Sequence, residues 1–358
     1  MNPGFWAGKV VLVTGHTGFK GAWLSLWLRK LGAKVIGYSL PPPTTPSLFQ
    51  LARVAEMMDS VEGDIRDLGH LHAVFARYRP EIVIHLAAQS LVRYSYRNPV
   101  ETYSTNVLGT AHLLEAARQS ESPRALLSVT SDKCYENREW VWGYREGEPL
   151  GGHDPYSSSK ACAELVTAAY RQSYFSGSGG SVGTSIASAR AGNVIGGGDW
   201  AEDRLIPDVI RAFLRDEAIM IRCPDAVRPW QHVLDPLAGY LLLIERMWDG
   251  KSGYDQAWNF GPSVNDARPV RWIVERTIEL WGGKARMEID TSMQPHEAAI
   301  LSLDCSKART RLGWLPGLGL EMALQWTVEW YKRYQRGDDM RGLTEDQIGR
   351  FQEIAVVH

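Results

Sequence analysis

Short apolar runs alternate with amphipathic stretches along the first two thirds of the chain. Lys9 to Thr14 (KVVLVT) is β-branched and apolar with no polar alternation, the pattern of a central parallel strand buried on both faces. A glycine-rich turn follows at once. From Gly21 to Leu31 (GAWLSLWLRKL) apolar positions recur at helical spacing and Gly32 closes the helix. Lys34 to Tyr38 (KVIGY) reads as a second strand and completes a βαβ unit. The pattern repeats with strands expected at Ser60–Glu62, Ile82–Leu86, Ala125–Thr130, Thr184–Ala189 and Trp258–Phe260, and helices around Leu68–Arg77, Val100–Arg118 and Pro236–Trp248. Alternating β and α elements imply an α/β fold built on a doubly wound parallel sheet.

The proline-rich stretch Pro41 to Pro46 and the Gly/Ser stretch Ser176 to Gly183 read as connections. Segments rich in Arg, Trp and Pro predict a second, smaller mixed α/β domain for the substrate. The expected division is residues 1–191 with 233–261 for a nucleotide-binding domain, and 192–232 with 262–358 for the smaller one. The length of 358 residues accommodates two domains at roughly 100 to 200 residues each.

Charge narrows the partners. Lys+Arg 39 against Asp+Glu 41 leaves a net charge of -2, without the basic excess that phosphate-backbone binding requires, so no nucleic-acid partner is expected. Cys134, Cys162, Cys223 and Cys305 form no C-x-x-C pair, which argues against a zinc site and for free thiols in a reducing compartment. No apolar run reaches the ~18 residues of a spanning helix and no leader pattern opens the chain. The expectation is a cytoplasmic protein with no membrane partner and no metal.

The turn after the first strand is TGHTGFKG, with Gly15, Gly18 and Gly21 spaced G-x-x-G-x-x-G between strand and helix. In that context the glycines let backbone approach a pyrophosphate, whose charge sits at the positive helix N-terminus. The fold is therefore Rossmann-like and the expected cofactor is a dinucleotide, with His16, Thr17, Phe19 and Lys20 also in the loop. His16 and Lys20 are candidates to add positive charge. The acidic residue normally found at the end of the second strand is replaced by Tyr38 and Ser39, and no arginine follows to hold a 2′-phosphate, so NAD is favoured over NADP. Asp64 and Ile65 are expected beside the adenine, and Leu86, Ala87, Ala88 and Gln89 where cofactor lies against a strand end. Asn106 is a further cofactor candidate.

Tyr156 and Lys160, in YSSSK, are an i, i+4 pair just after Pro155 and share one helix face. An ammonium favours the phenolate of a tyrosine whose ordinary pKa is ~10. Thr130, Ser131, Asp132 and Lys133 lie at the end of a buried strand, where open α/β sheets place their sites. Strand alternation would send Asp132 and Lys133 to opposite faces, unless the strand has ended before them.

TGHTGFKG, HLAAQS, SDKCY, YSSSK, RAGNVIGGGDW and SLDCSKARTRLGW appear in the order and spacing of the extended short-chain dehydrogenase/reductases that act on nucleotide sugars. The chain resembles that family over nearly its whole length, and within it the 4,6-dehydratases acting on CDP-glucose. The resemblance implies the following chemistry. Tyr156 removes the 4-hydroxyl proton as hydride leaves C4 for NAD, while Ser131 binds that oxygen and Lys160 lowers the tyrosine pKa. Lys133 takes the C5 proton, Asp132 protonates the departing 6-hydroxyl, and hydride returns to C6. Dehydratases acting on dTDP-glucose carry Asp-Glu where this chain has Asp132 and Lys133, so Lys133 must become neutral to act as a base and Asp132 must be protonated to act as an acid.

By the same pattern Arg204 and Arg228 clamp the diphosphate, Asn193 lies near it, and Ser90, Arg93 and His296 line the sugar side. Apolar faces that include Val107, Leu114, Ala163, Val166 and Tyr170 imply a homodimer, and the product implies deoxysugar biosynthesis for lipopolysaccharide O-antigen. Two rival functions stay open: a nucleotide-sugar 4-epimerase or reductase with Asp132 and Lys133 incidental, and a non-catalytic NAD-sensing protein.

Overall fold

A computed structural model describes residues 2, 4–175, 183–250, 253–282, 286–290 and 300–356. Among these, strands β1 (Val10–Thr14), β2 (Lys34–Ser39), β3 (Asp59–Glu62), β4 (Ile82–His85), β5 (Ala125–Val129), β6 (Ser185–Ala191) and β7 (Ala257–Phe260) form one sheet. Its order is β7-β6-β5-β4-β1-β2-β3, and every pair is parallel. The expected strands are all present with ends moved by a residue or two. Most of the Gly/Ser stretch, residues 176–182, lies outside the described residues.

The absence of polar alternation in the central strands is explained by two covered faces. Val11, Val13, Ile82, Ile84 and Leu127 point to one, against Trp23 and Trp27 of the Phe19–Lys30 helix and Leu237 and Leu241 of the Leu234–Trp248 helix. Leu12, Ile36, Val83 and Leu126 point to the other, against Leu71 and Phe75 of Leu68–Tyr78 and Leu113 and Ala117 of Gly109–Ser120. The first cluster continues without a break into Trp200, Trp230, Trp326, Trp330 and Tyr331.

The helix expected at Val100–Arg118 is three consecutive pieces: Pro99–Tyr103, a wider π turn at Ser104–Leu108, and Gly109–Ser120. A helix also runs from Pro155 to Tyr170, started by the Asp154 side chain accepting from Ser157 N at 2.9 Å and by Pro155 in the first turn. Beyond β6 the chain forms small two-stranded pairings: Val194–Ile195 with Gln231–His232, Ile219–Ile221 with Met287–Ile289, and Val227–Pro229 with Ala267–Pro269. The four cysteines are free. Among the described residues no helix is long and apolar enough to cross a membrane.

Candidate active site

A cleft of about 1110 Å³ opens at the carboxyl ends of the strands, where the sheet order reverses between β1 and β4 and open α/β sheets bind ligands. Its walls bring together Gly15, Thr17, Gly18, Phe19, Lys20, Gly21, Ser39, Asp64, Ile65, Leu86, Ala87, Ala88 and Gln89 from the nucleotide-binding expectation. They also bring in Ser131, Asp132, Lys133, Tyr156 and Lys160, and from the sugar side Ser90, Arg93, Asn193, Arg204 and Arg228. His296 lies outside the described residues.

The glycine turn is tight because nothing larger fits. A Cβ on Gly21 would fall 2.1 Å from Gly15 O, and one on Gly15, whose φ is +73, would fall 2.7 Å from Ala87 N. Gly18 caps the following helix without a side-chain hydrogen bond, and the first turn carries no acidic residue. The leading N–H groups therefore face the cleft in the manner that holds a pyrophosphate. Thr17 Oγ1 lies 2.8 Å from Ser39 Oγ and donates to Leu40 O at 2.9 Å, tying the turn to the end of β2.

His16 does not take the expected place. Its ring is turned away from the cleft into the space beside Gly37, where a Cβ would come within 2.3 Å of it, and Nε2 lies 2.7 Å from Ser60 Oγ. Burial lowers its pKa to about 4, so it brings no positive charge to a phosphate. Lys20 does line the cleft, among Arg204, Asp132, Lys160 and Asp199, with its pKa lowered to about 8 by burial first and Arg204 second. Tyr38 is fully buried and donates to Asp64 O at 2.8 Å, while the Asp64 carboxylate is held by Arg66 at 2.5 Å.

Asn106 is buried and does not reach the cleft walls. It supports them instead: Oδ1 accepts from Gln89 N at 2.8 Å, and Nδ2 donates to Gln89 O at 2.9 Å and Ser159 Oγ at 2.8 Å. The π turn thus fastens the segment that follows β4 to the helix carrying Tyr156. A similar tie, missed in the sequence, links Thr14, His85 and Thr110. Thr14 Oγ1 lies 2.7 Å from His85 Nδ1 and accepts from Leu86 N and Ala87 N, both at 3.2 Å, while His85 Nε2 lies 3.1 Å from Thr110 Oγ1. A histidine closing a buried strand was the available signal.

Asp132 and Lys133 share the cleft because β5 ends at Val129 and Asp132–Cys134 is a single 3-10 turn, so strand alternation no longer applies. Ser131 caps that turn, accepting from Lys133 N at 3.2 Å and donating to Asp132 Oδ1 at 2.9 Å. Asp132 is 2% exposed. Its Oδ2 has no hydrogen-bond partner and faces Gly192, where a Cβ would come within 2.5 Å. Burial raises its pKa, against the pull of Lys133, Ser131, Lys20 and Arg228. The carboxyl is thereby biased toward the protonated form that a proton donor needs.

The Tyr156 phenol is pushed up to about 12, chiefly by burial; the neighbouring Ser131 side chain and Arg204 draw it back, and Asp132 adds to the rise. Lys160 is brought down to about 8 by burial, with Glu164 opposing, and Nζ donates to Val129 O at 3.4 Å. On the far wall Arg204 donates to Asp199 Oδ2 and to Ser90 Oγ, both at 2.9 Å. Arg93 sits 3.7 Å from Asp203, which also holds Arg222 at 2.8 Å. Arg228 is buried, with Nη1 donating to Val227 O at 3.1 Å. Asp199 thus orients Arg204, and Asp203 orients Arg93 and Arg222.

A family model described as GDP-mannose 4,6 dehydratase matches residues 12–327. The chain belongs to that family. Among relatives of this dehydratase-family chain, the CDP-glucose 4,6-dehydratase of Salmonella typhimurium is 54% identical over 352 residues, covering 98% of each chain. A solved structure of MoeE5 in complex with UDP-glucose and NAD superposes with a TM-score of 0.76 at 26% identity, covering 91% of this chain and 100% of that one. The dTDP-glucose 4,6-dehydratase of Bacillus anthracis, solved with NAD, has the same fold at a TM-score of 0.77 and 24% identity, covering 93% and 100%.

Proposed function

We propose that the chain is an NAD-dependent CDP-glucose 4,6-dehydratase, a lyase that converts CDP-D-glucose to CDP-4-dehydro-6-deoxy-D-glucose. The observation that carries the reading is a buried, protonation-biased Asp132 in the same cleft as Ser131, Lys133, Tyr156 and Lys160; an epimerase or a sensor has no use for that acid. The substrate follows the 54% identity to the Salmonella enzyme.

The uncapped helix start and the glycine turn fit NAD; Gly15, Thr17, Gly18 and Phe19 would hold its phosphates, and Ile65 and Leu86 to Gln89 its flat surfaces. When bound, it supplies reversible acceptance of the hydrogen taken from C4 and returned at C6. The chain's own groups do the rest. Tyr156 takes the 4-hydroxyl proton, and Ser131 hydrogen-bonds the same oxygen. Lys160, charged, favours the phenolate against the burial that opposes it. The resulting ketone makes the C5 proton acidic; Lys133 removes it while Asp132 gives its proton to the departing 6-hydroxyl. Water is the net loss. Arg204, Arg228 and Asn193 hold the diphosphate end, with Ser90, Arg93 and His296 assigned to the sugar side, arginine's planar fork suiting phosphate oxygens.

The proposal includes the division into residues 1–191 with 233–261 for cofactor and 192–232 with 262–358 for substrate. It includes a cytoplasmic homodimer serving deoxysugar biosynthesis for lipopolysaccharide O-antigen. Of the residues expected on the dimer face, Leu114 and Ala163 are buried within this chain, while Val107, Val166 and Tyr170 are half-buried. Val100 (80% exposed), Tyr103 (37%), Leu108 (55%) and Leu165 (58%) on the same helices are apolar residues left open.

The test is separate incubation of the protein and NAD with CDP-, dTDP- and UDP-glucose, following the alkaline ultraviolet absorbance of a 4-keto-6-deoxy product. Water loss with CDP-glucose alone is expected. Turnover without water loss moves the reading to an epimerase or reductase.

A further inference from the structure

The catalytic segment is gripped from behind by an ion pair that the reaction above does not use. Glu164 lies one helical turn beyond Lys160, and Arg190 stands on β6; both side chains are 3% exposed. Arg190 Nη2 donates to Glu164 Oε2 at 2.7 Å. Glu164 Oε1 accepts from Thr130 Oγ1 at 2.5 Å and Oε2 from Ser188 Oγ at 2.7 Å. On its other side Arg190 Nη1 donates to Tyr135 Oη at 2.7 Å, and its guanidinium lies 4.8 Å from the ring centre. Tyr135 Oη donates in turn to Asn259 Oδ1 at 2.7 Å.

Thr130 and Tyr135 bracket the segment that carries Ser131, Asp132 and Lys133. One buried pair therefore anchors both ends of that segment and the helix bearing Tyr156 and Lys160. Burying two charges is costly, and well-packed apolar residues often stabilise a core as well or better, so stability alone is a weak reason for the pair to be there.

We propose that Glu164 and Arg190 are positioning residues, which hold Ser131, Asp132 and Lys133 in register with Tyr156 and keep the Lys160 ammonium charged. The inference rests on the roles given above to Lys160 and Asp132. Several groups face Lys160: Glu164 and Tyr156 on its own helix, the Cys134 thiol on the 3-10 turn, Lys20 on the Phe19–Lys30 helix, and His85 on β4. Cys134 is kept protonated chiefly by burial, and burial holds His85 neutral with its pKa near about 3. Lys20 repels. Glu164 supplies the negative charge, since Arg190, Thr130 and Ser188 outweigh the burial that opposes its ionisation and hold its carboxyl below the usual range. Neutralising Glu164 removes the opposition to burial, which already lowers the Lys160 pKa, and Lys160 loses its proton at still lower pH.

The experiment measures kcat and KM against pH for the full chain with NAD and CDP-glucose, in wild type, Glu164→Gln, Glu164→Asp, Thr130→Val and Lys160→Met, with thermal unfolding of each. In Glu164→Gln the alkaline limb of kcat is expected to move about one pH unit lower, so that kcat near the limb falls about tenfold, with KM nearly unchanged. Glu164→Asp, which keeps the charge, restores the limb. Thr130→Val, which keeps the ion pair but releases the segment, lowers kcat without moving the limb. Folded Glu164→Gln with an unmoved limb, or Glu164→Asp no better than Glu164→Gln, overturns the proposal and leaves a structural ion pair. If Glu164→Gln does not fold, wild-type kcat in Thr130→Val overturns it. Lys160→Met distinguishes the levels: retained activity removes the role of Lys160 and this inference with it, whereas loss of activity beside an unmoved Glu164→Gln limb removes this inference alone.

Discussion

Replacing Asp132 with asparagine isolates the proton it is proposed to donate. Asn conserves the volume in a site where the carboxyl is 2% exposed and faces Gly192, and its Oδ1 can still accept from Ser131, which is 2.9 Å away in the wild type. The orphaned Oδ2 becomes an amide nitrogen, which cannot transfer a proton to a leaving hydroxyl. General acids contribute about 10² to 10⁴ in rate, or about 3 to 5 kcal/mol, so kcat for the 4-keto-6-deoxy product should fall by that factor. Oxidation at C4 does not involve Asp132. Reduced nicotinamide should therefore accumulate, seen by its near-ultraviolet absorbance, while water loss stalls. The folded chain also holds the Asp132 pKa above its ordinary value, a cost above the unfolded pKa that Asn removes, so the melting temperature near neutral pH should be unchanged or higher. Product at the wild-type rate, or joint loss of oxidation, product and stability, would refute the reasoning; the second outcome would make Asp132 a structural residue.

Gly21→Ala puts a Cβ 2.1 Å from Gly15 O and 2.7 Å from His16 Cα, both backbone, so it should cost about 1 to 3 kcal/mol and abolish NAD binding by calorimetry; binding at wild-type affinity would sink the glycine-turn account. Arg204→Met removes a donor to Ser90 and leaves Asp199 without its arginine, and should raise KM for the nucleotide sugar about 10- to 100-fold with a smaller change in kcat, whereas an unchanged KM would detach Arg204 from substrate. Asp235 accepts from Gly317 N at 2.6 Å and Leu318 N at 3.2 Å, and burial raises its pKa from 3.8 to about 7. A folded pKa raised in this way gives stability that is full below the unfolded pKa and lost as pH rises toward 7, by about 4 kcal/mol if the whole rise is realised. Asp235→Asn should flatten the denaturant midpoint between pH 4 and pH 8, and parallel curves for variant and wild type would count against it.

The sheet was legible because its signal is local: KVVLVT and the glycine turn state burial and turn geometry within a dozen residues, and the strands were found to within a residue or two. The gathering of Ser131, Asp132, Tyr156 and Lys160 was legible from their place at a strand end and their helical spacing. His16 was misread because a loop sequence does not say which side of the loop a side chain takes; the room beside Gly37 and the hydroxyl of Ser60, 44 residues away, decide it. Which apolar residues of the two helices are spent inside the chain was hidden for a similar reason. Helical spacing marks Leu114 and Val166 alike as apolar, but only the packing of two helices on one sheet face buries Leu114 fully and leaves Val166 half-buried. The Glu164–Arg190 pair was invisible, since its members lie on separate elements and meet only when β5, β6 and the Pro155–Tyr170 helix pack together.

The central claim is that hydrogen taken from C4 of the sugar reappears at C6 as water is lost. CDP-glucose carrying deuterium at C4 tests it, with the product read by mass and by NMR of its C6 methyl group. The account predicts one water lost and the deuterium in that methyl group. Deuterium retained at C4, or a product that keeps its 6-hydroxyl, would contradict it.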